Sequence, residues 1–247
     1  MAESKRSMNT RMESTPPKKY ECVFFDLDHT LWDYEANSVE TLVELYEQYD
    51  LKSRGIQSCE SLSAQFRIVN TTLWDLYDRG SITSDIIRKE RFKQILQAFH
   101  AYEEKLCKDL SHDYLTQCPK KGNLMPHALE VLDYLSADYR LSVITNGFEE
   151  IQHQKLKSSN LTSYFDHIVT SQRAGCRKPS CEIFNFALTS NGIKHHEAIM
   201  VGDNLVTDMG GASNAYIDTI FFNPEKNVHD SFIVHEINCL SELRQIL

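Results

Sequence analysis

Five short apolar runs punctuate the chain, and apolar residues recur at helical spacing between them. Residues 20–25 (YECVFF) are rich in aromatic and β-branched side chains and end at an acidic turn, as a buried parallel strand does. Residues 140–145 (RLSVIT), 167–170 (HIVT), 198–202 (AIMVG) and 218–222 (DTIFF) repeat that signature. Helices are predicted over 126–135, which opens with proline, 149–157 after a glycine, 182–190 after Lys-Pro, and 205–214 after Gly-Asp-Asn. Alternation of this kind predicts an α/β domain built on a parallel sheet.

One interval breaks the rhythm. More than 100 residues separate the first strand from the second, whereas a crossover needs about a dozen. Within it, residues 35–49, 59–77, 84–99 and 102–116 carry apolar positions at helical spacing, as in Leu42, Leu45, Tyr46 and Tyr49. The insert is therefore expected to be an α-helical cap domain over residues 33–120, set on a core formed by 20–32 and 121–247. Residues 52–58 and 118–123 are turn-rich, and the second stretch leads back to the core.

Composition narrows the functional classes. Hydrophobic residues at 41% and charged residues at 25% fit an ordinary globular protein. A net charge of -9 argues against a partner that is a nucleic-acid polymer, whose phosphates call for a surplus of Lys and Arg. No apolar run approaches the roughly 20 residues of a membrane-spanning helix, so no membrane partner is expected. Seven cysteines, odd in number and without a CxxC pair, read as reduced thiols of a cytoplasmic protein. Residues 1–19 are polar, lack the apolar stretch of a secretory signal, and are expected to form a disordered leader.

Ligands of open parallel sheets bind outside the carboxyl ends of the strands, so the polar residues after each apolar run are the ones to weigh. Asp26, Asp28 and Thr30 follow the first run; Thr145, Asn146 and Gly147 follow the second; Lys178-Pro179 lies beyond the third; Gly202-Asp203-Asn204 and Asp208 follow the fourth. Residues two apart in an extended chain point the same way, which lets Asp26 and Asp28 address one ligand. Two close carboxylates repel, and that invites either a bound cation or a shared proton. With Asp203 added, the set suits a hard, oxygen-loving ion such as Mg2+. Taken singly, each motif is equally well a helix cap or a solvated turn. Four such coincidences at one sheet edge favour a single composite site.

These residues resemble the four motifs of the haloacid dehalogenase (HAD) superfamily hydrolases: Asp26-x-Asp28-x-Thr30, Thr145, Lys178 and Gly202-Asp203 with Asp208. The resemblance covers nearly the whole chain after the leader and implies a Rossmann-like core with a cap inserted after the first motif. It implies a phosphatase acting through an aspartyl-phosphate: Asp26 as nucleophile, Asp28 as general acid and base, and Thr145 with the Asn146 N–H holding phosphoryl oxygens. Lys178 would steady the transferring group, and Mg2+ would bind Asp26, the Asp28 carbonyl and Asp203, with Asp208 supporting from behind. Halide-removing members lack a carboxylate at the place of Asp28, which directs the resemblance away from dehalogenation. Tyr216 falls where many relatives have glycine.

The insert supports a narrower resemblance. Asn70, Leu73, Trp74, Tyr77, Gly80, Ile82 and Thr83, followed by Arg91-Phe92, with 144–148 (ITNGF), are similar to bacterial pyrimidine 5'-nucleotidases of this superfamily. On that pattern Trp74 and Tyr77 would stack a base while Asn70 and Thr83 hydrogen-bond it, and the turn 80–83 would face the active site; both aromatics serve equally as core of the insert. The expected substrate is a small phosphorylated metabolite, a nucleotide on this resemblance. A sugar-phosphate phosphatase, a phosphomutase or a non-catalytic binding protein are the competing readings. His29 is read as structural, and His195-His196 as a solvated turn.

Overall fold

The computed structural model describes residues 19–247. The predicted leader lies outside the described residues except for Lys19, which pairs with Asp218 at 2.8 Å. The chain runs through β1 (Cys22–Phe25), α1 (Tyr34–Gln48), α2 (Cys59–Asp78), α3 (Ser84–Ala98), α4 (Glu104–Gln117), α5 (Ala128–Ser136) and β2 (Arg140–Thr145). It continues as α6 (Glu149–Ser158), β3 (His167–Thr170), α7 (Ser171–Ala174), α8 (Cys181–Asn191), β4 (Ala198–Gly202), a π turn (Leu205–Gly210), α9 (Gly211–Asn214), β5 (Asp218–Phe222) and β6 (His235–Ile237).

All pairings in the six-stranded sheet are parallel, in the order β3-β2-β1-β4-β5-β6. This is the α/β architecture the sequence predicts. Side chains alternate between the faces: Val23 and Phe25 join the layer under α5 and α6, whereas Cys22 and Phe24 join the layer under α8 and α9. Every residue of β1 is buried, which explains its unbroken apolar run. The order reverses between β1 and β4, so the chain diverges there and leaves a crevice at the carboxyl ends of those two strands.

Four details depart from the sequence expectation. The first strand starts at Cys22, because Tyr20 lies before the ladder and its hydroxyl donates to Asp218 at 2.8 Å. The helix expected from Pro126 starts at Ala128, since His127 takes a left-handed φ of 66°. The helix expected over 205–214 is a π turn followed by one α turn. A sixth strand, too short at three residues to leave a periodic pattern, was missed.

Helices α1 to α4 pack around a trio of rings: Phe66 of α2, Phe92 of α3 and Tyr114 of α4 lie with centroids 4.9–5.9 Å apart. The two segments linking these helices to the sheet clasp each other. Asp33 N donates to Asn123 O at 3.1 Å, Asn123 N donates to Asn37 Oδ1 at 3.0 Å, and the fully buried Trp32 donates to Lys121 O at 3.3 Å. No helix among the described residues is long and apolar enough to cross a membrane.

Tyr216, in the turn into β5, has φ 60° and is 79% exposed. The left-handed region costs a side-chain-bearing residue roughly 1–2 kcal/mol, and glycine's added freedom in the unfolded chain returns about 0.4–1 kcal/mol of that. Tyr216→Gly should therefore raise the unfolding free energy by roughly 0.5 kcal/mol in urea titration; a loss of stability would refute the strain argument.

Candidate active site

The crevice at the β1/β4 reversal collects charged groups from four chain segments. Asp26 follows β1 directly, and its N–H donates to Val201 O of β4 at 2.9 Å. Lys178, on the segment before α8, sends a buried ammonium into the same place. Its Nζ donates to Asp26 Oδ1 at 2.5 Å, Asp208 Oδ1 at 2.6 Å and the Ile144 carbonyl at 2.9 Å. Asp203 follows β4 and accepts from Thr30 Oγ1 at 3.0 Å. The π turn curls Asp208 back so that its Oδ2 accepts from Asn204 N at 3.1 Å. A Cβ on Gly202 would stand 2.4 Å from that Oδ2, so the close approach of carboxylate to strand requires glycine.

Charge is unbalanced here. Burial pushes the Asp26 carboxyl up to about 7 against the pull of Lys178, with Asp208 adding to the rise. Burial, then Asp26, push Asp203 up to about 6, and burial also raises Asp208. Burial pulls Lys178 down, but Asp208 and Asp26 outweigh it and hold the ammonium above its usual range. Asp26, Asp203 and Asp208 each place one oxygen within 4.8 Å of the others. An all-oxygen set of negative charge, with one ammonium to offset it, fits a small hard cation.

Asp28 lines the same cavity as Asp26, but its carboxylate has other partners. Its side chain turns to α6, where Lys155 Nζ donates to Oδ1 at 2.5 Å and Gln152 Nε2 donates to Oδ2 at 2.9 Å. Burial would raise the Asp28 carboxyl, but Lys155 and then Gln152 hold it below the usual range. Each of the two aspartates thus has its own lysine. Gly147 makes this possible, because a Cβ there would lie 1.5 Å from the Gln152 amide nitrogen. Lys155 is itself buried, with its Nζ 4.3 Å from the centroid of the Trp32 ring.

Thr145 and Asn146 edge the crevice. Thr145 Oγ1 accepts from Gly147 N at 3.0 Å, which leaves its own proton to give. The Asn146 amide spans 2.9 Å to Asp78 Oδ1 and 3.0 Å to Lys178 O, and its oxygen accepts from Lys178 N at 2.8 Å. Above these residues lies a cavity of about 430 Å³, walled by Asn70, Trp74 and Arg91 of the insert and by Phe148. Trp74 packs on Phe148 with centroids 5.5 Å apart.

Two expected residues do not reach this cavity. Tyr77 sits one turn beyond Trp74 and two beyond Asn70 on α2 and is buried under Arg177, with its hydroxyl 3.4 Å from Ser171 Oγ. Thr83 precedes α3 and is exposed, because the turn at Gly80 lies against the Arg177 guanidinium rather than over the crevice. His29 lines the cavity, with a left-handed φ of 63° and its ring 5.0 Å from Tyr34. His195 and His196 are exposed, as expected of a solvated turn.

The model of the haloacid dehalogenase-like hydrolases matches residues 23–222. This chain belongs to that family. A solved relative, the putative HAD-hydrolase YfnB of Bacillus subtilis bound to magnesium, superposes with a TM-score of 0.83 at 27% identity, covering 93% of this chain and 99% of its own. Pyrimidine 5'-nucleotidase PynA of Streptococcus pneumoniae is 30% identical over 83% of this chain and 84% of its own length. Pyrimidine 5'-nucleotidase YjjG of Escherichia coli is 28% identical over 93% and 98%. This HAD-like hydrolase is a phosphoric monoester hydrolase.

Sequence reasoning passed over Lys155, Gln152, Asp78 and Arg91 as site residues. The first two had a signal: they stand three apart on a helix that opens at the sheet edge immediately after Thr145-Asn146-Gly147. In this hydrolase Lys178 is the cation that lets Asp26 and Asp208 be buried together. Lys178→Met should therefore lower the unfolding free energy by about 3–5 kcal/mol in urea titration with EDTA present; a loss below about 1 kcal/mol would show that the ion pairs contribute no more than surface ones.

Proposed function

We propose that the chain is a Mg2+-dependent 5'-nucleotidase that hydrolyses pyrimidine nucleoside monophosphates through an aspartyl-phosphate on Asp26. One observation carries this reading. Asp26, bonded to Lys178, lines one cavity together with aromatic and polar side chains of the insert. The names of PynA and YjjG support the nucleotide as substrate. Seven free thiols support a cytoplasmic setting.

In the first half-reaction an Asp26 carboxylate oxygen attacks phosphorus in line, and the bond to the ester oxygen breaks. The negative charge of the bound phosphate favours the protonated form of Asp28, which enters the step carrying a proton, gives it to that oxygen, and so lets the nucleoside leave. In the second, Asp28 takes a proton from water, the water oxygen attacks phosphorus, and the Asp26 carboxylate is regenerated with release of phosphate. The Thr145 hydroxyl and the Asn146 N–H hold phosphoryl oxygens, while Lys178, oriented by Asp208, faces the equatorial charge that grows in flight. A Mg2+ ion held by Asp26, the Asp28 carbonyl and Asp203 would neutralise the repulsion between anionic nucleophile and phosphate. Residues 33–120 act as a cap that excludes water from this centre.

Full-length protein with Mg2+ should release phosphate from UMP, dUMP and dTMP, and EDTA should stop it; release from sugar phosphates alone would sink the nucleotidase assignment. Asp26→Asn should abolish hydrolysis while leaving the circular dichroism spectrum intact. Undiminished turnover in that variant would falsify the choice of nucleophile.

A further inference from the structure

The end of α2 is tied to the segment that carries Lys178. Arg177 Nη1 donates to the Tyr77 carbonyl at 2.6 Å, and its guanidinium carbon lies 4.7 Å from the centroid of the Tyr77 ring. Carbonyls in the last turn of a helix lack α-helical donors, and a cation beside them is favoured by the helix dipole. Gly80 follows in the same turn with φ 79°, and a Cβ there would stand 3.2 Å from Arg177 Nη2, so the glycine leaves room for the arginine. One residue beyond Tyr77, Asp78 Oδ1 accepts from Asn146 Nδ2 at 2.9 Å. Both contacts join the insert to the core. Asp78 lines the active-site cavity, whereas Arg177 does not.

The Asn146 side chain passes the contact on. Its amide carries two N–H donors and one carbonyl oxygen. One donor goes to Asp78 and the other to Lys178 O at 3.0 Å, while the oxygen accepts from Lys178 N at 2.8 Å. Asn146 thus clamps the main chain of Lys178 on both sides and is itself held by Asp78. It is 9% exposed, so loss of the Asp78 acceptor leaves a donor with little water to replace it. The amide can satisfy that donor only by turning, and turning breaks its bonds to Lys178. A line of hydrogen bonds therefore runs from the insert through Asp78 and Asn146 to the lysine bonded to Asp26.

Resting on the phosphatase reading above, we infer that Asp78 and Arg177 are positioning residues: the end of α2, docked on residues 177–178, sets the Asn146 clamp and so the place of Lys178 during phosphoryl transfer. Asp78 acts through its acceptor oxygen and Arg177 through Tyr77, and neither touches the substrate. Asn146 and Lys178 address the phosphoryl group, so the loss of either positioning residue has the same effect whatever the leaving group. The effect falls on kcat, because a misplacement of about 1 Å at the reacting centre costs on the order of 100-fold in rate.

The test measures kcat and KM on UMP and on p-nitrophenyl phosphate, with Mg2+, for full-length wild type, Asp78→Leu, Asp78→Asn and Arg177→Met, and the Tm of each protein. Asp78→Leu should lower kcat about tenfold or more on both substrates, the scale of one buried hydrogen bond left unmade, with KM within about twofold. Asp78→Asn keeps an acceptor oxygen and should recover most of that loss. Arg177→Met should lower kcat on both substrates in equal proportion. A loss on UMP that spares p-nitrophenyl phosphate makes Asp78 a contact for the nucleoside and overturns the proposal, as does a rise in KM at unchanged kcat or an Asp78→Leu protein as active as wild type. If Asp78→Leu lowers the Tm, the other two variants decide, and Arg177→Met at wild-type kcat overturns the proposal. If wild type hydrolyses p-nitrophenyl phosphate and not UMP, the nucleotide reading falls and the comparison is decided on p-nitrophenyl phosphate. If it hydrolyses neither, the phosphatase reading falls, and calorimetry with inorganic phosphate and Mg2+ decides: weaker binding to Asp78→Leu upholds the proposal, while equal affinity, or no binding to wild type, overturns it.

Discussion

A single buried ammonium organises the centre of this protein. Lys178 is bonded at once to Asp26, Asp208 and the Ile144 carbonyl, and so it joins the ends of β1 and β2 to the π turn behind β4. Without that positive charge, three carboxylates within 4.8 Å of one another would repel too strongly to stay ionised in a buried crevice. The sheet order brings the carboxylates together, and Lys178 makes their proximity tolerable. The negative charge still in excess would favour a hard cation at the site.

The sheet was legible because its strands are buried on both faces and so announce themselves as unbroken apolar runs. Four strand boundaries follow directly from those runs, and the polar residues just beyond them converge as the sheet rule requires. Local geometry was harder to read. The π turn at Leu205–Gly210 looks like ordinary helix in its spacing, and β6 is too brief to show a period. Tyr77 and Thr83 were placed by analogy of pattern, but a turn of helix carries Tyr77 past the cavity, and the turn at Gly80 lies beside the Arg177 side chain.

Lys155 shows why a charge on a helix resists interpretation from sequence. On α6 it looks like a solvated lysine, yet it is buried against Trp32 and bonded to Asp28, a residue 127 positions away. Nothing in its neighbours along the chain records that partnership. The nearest clue is Gly147, whose missing side chain admits Gln152 to the same carboxylate.

The pairing of Asp28 with α6 also bears on when this protein sets its dipoles. Gln152 and Lys155 belong to a helix of the sheet layer, so the Asp28 carboxylate is aimed during folding, before any substrate arrives. With a side-chain exposure of 24%, the group keeps only part of a solvent shell to rearrange when a ligand enters. The thermodynamic work of orienting it is done once in the life of the molecule and is stored in α6.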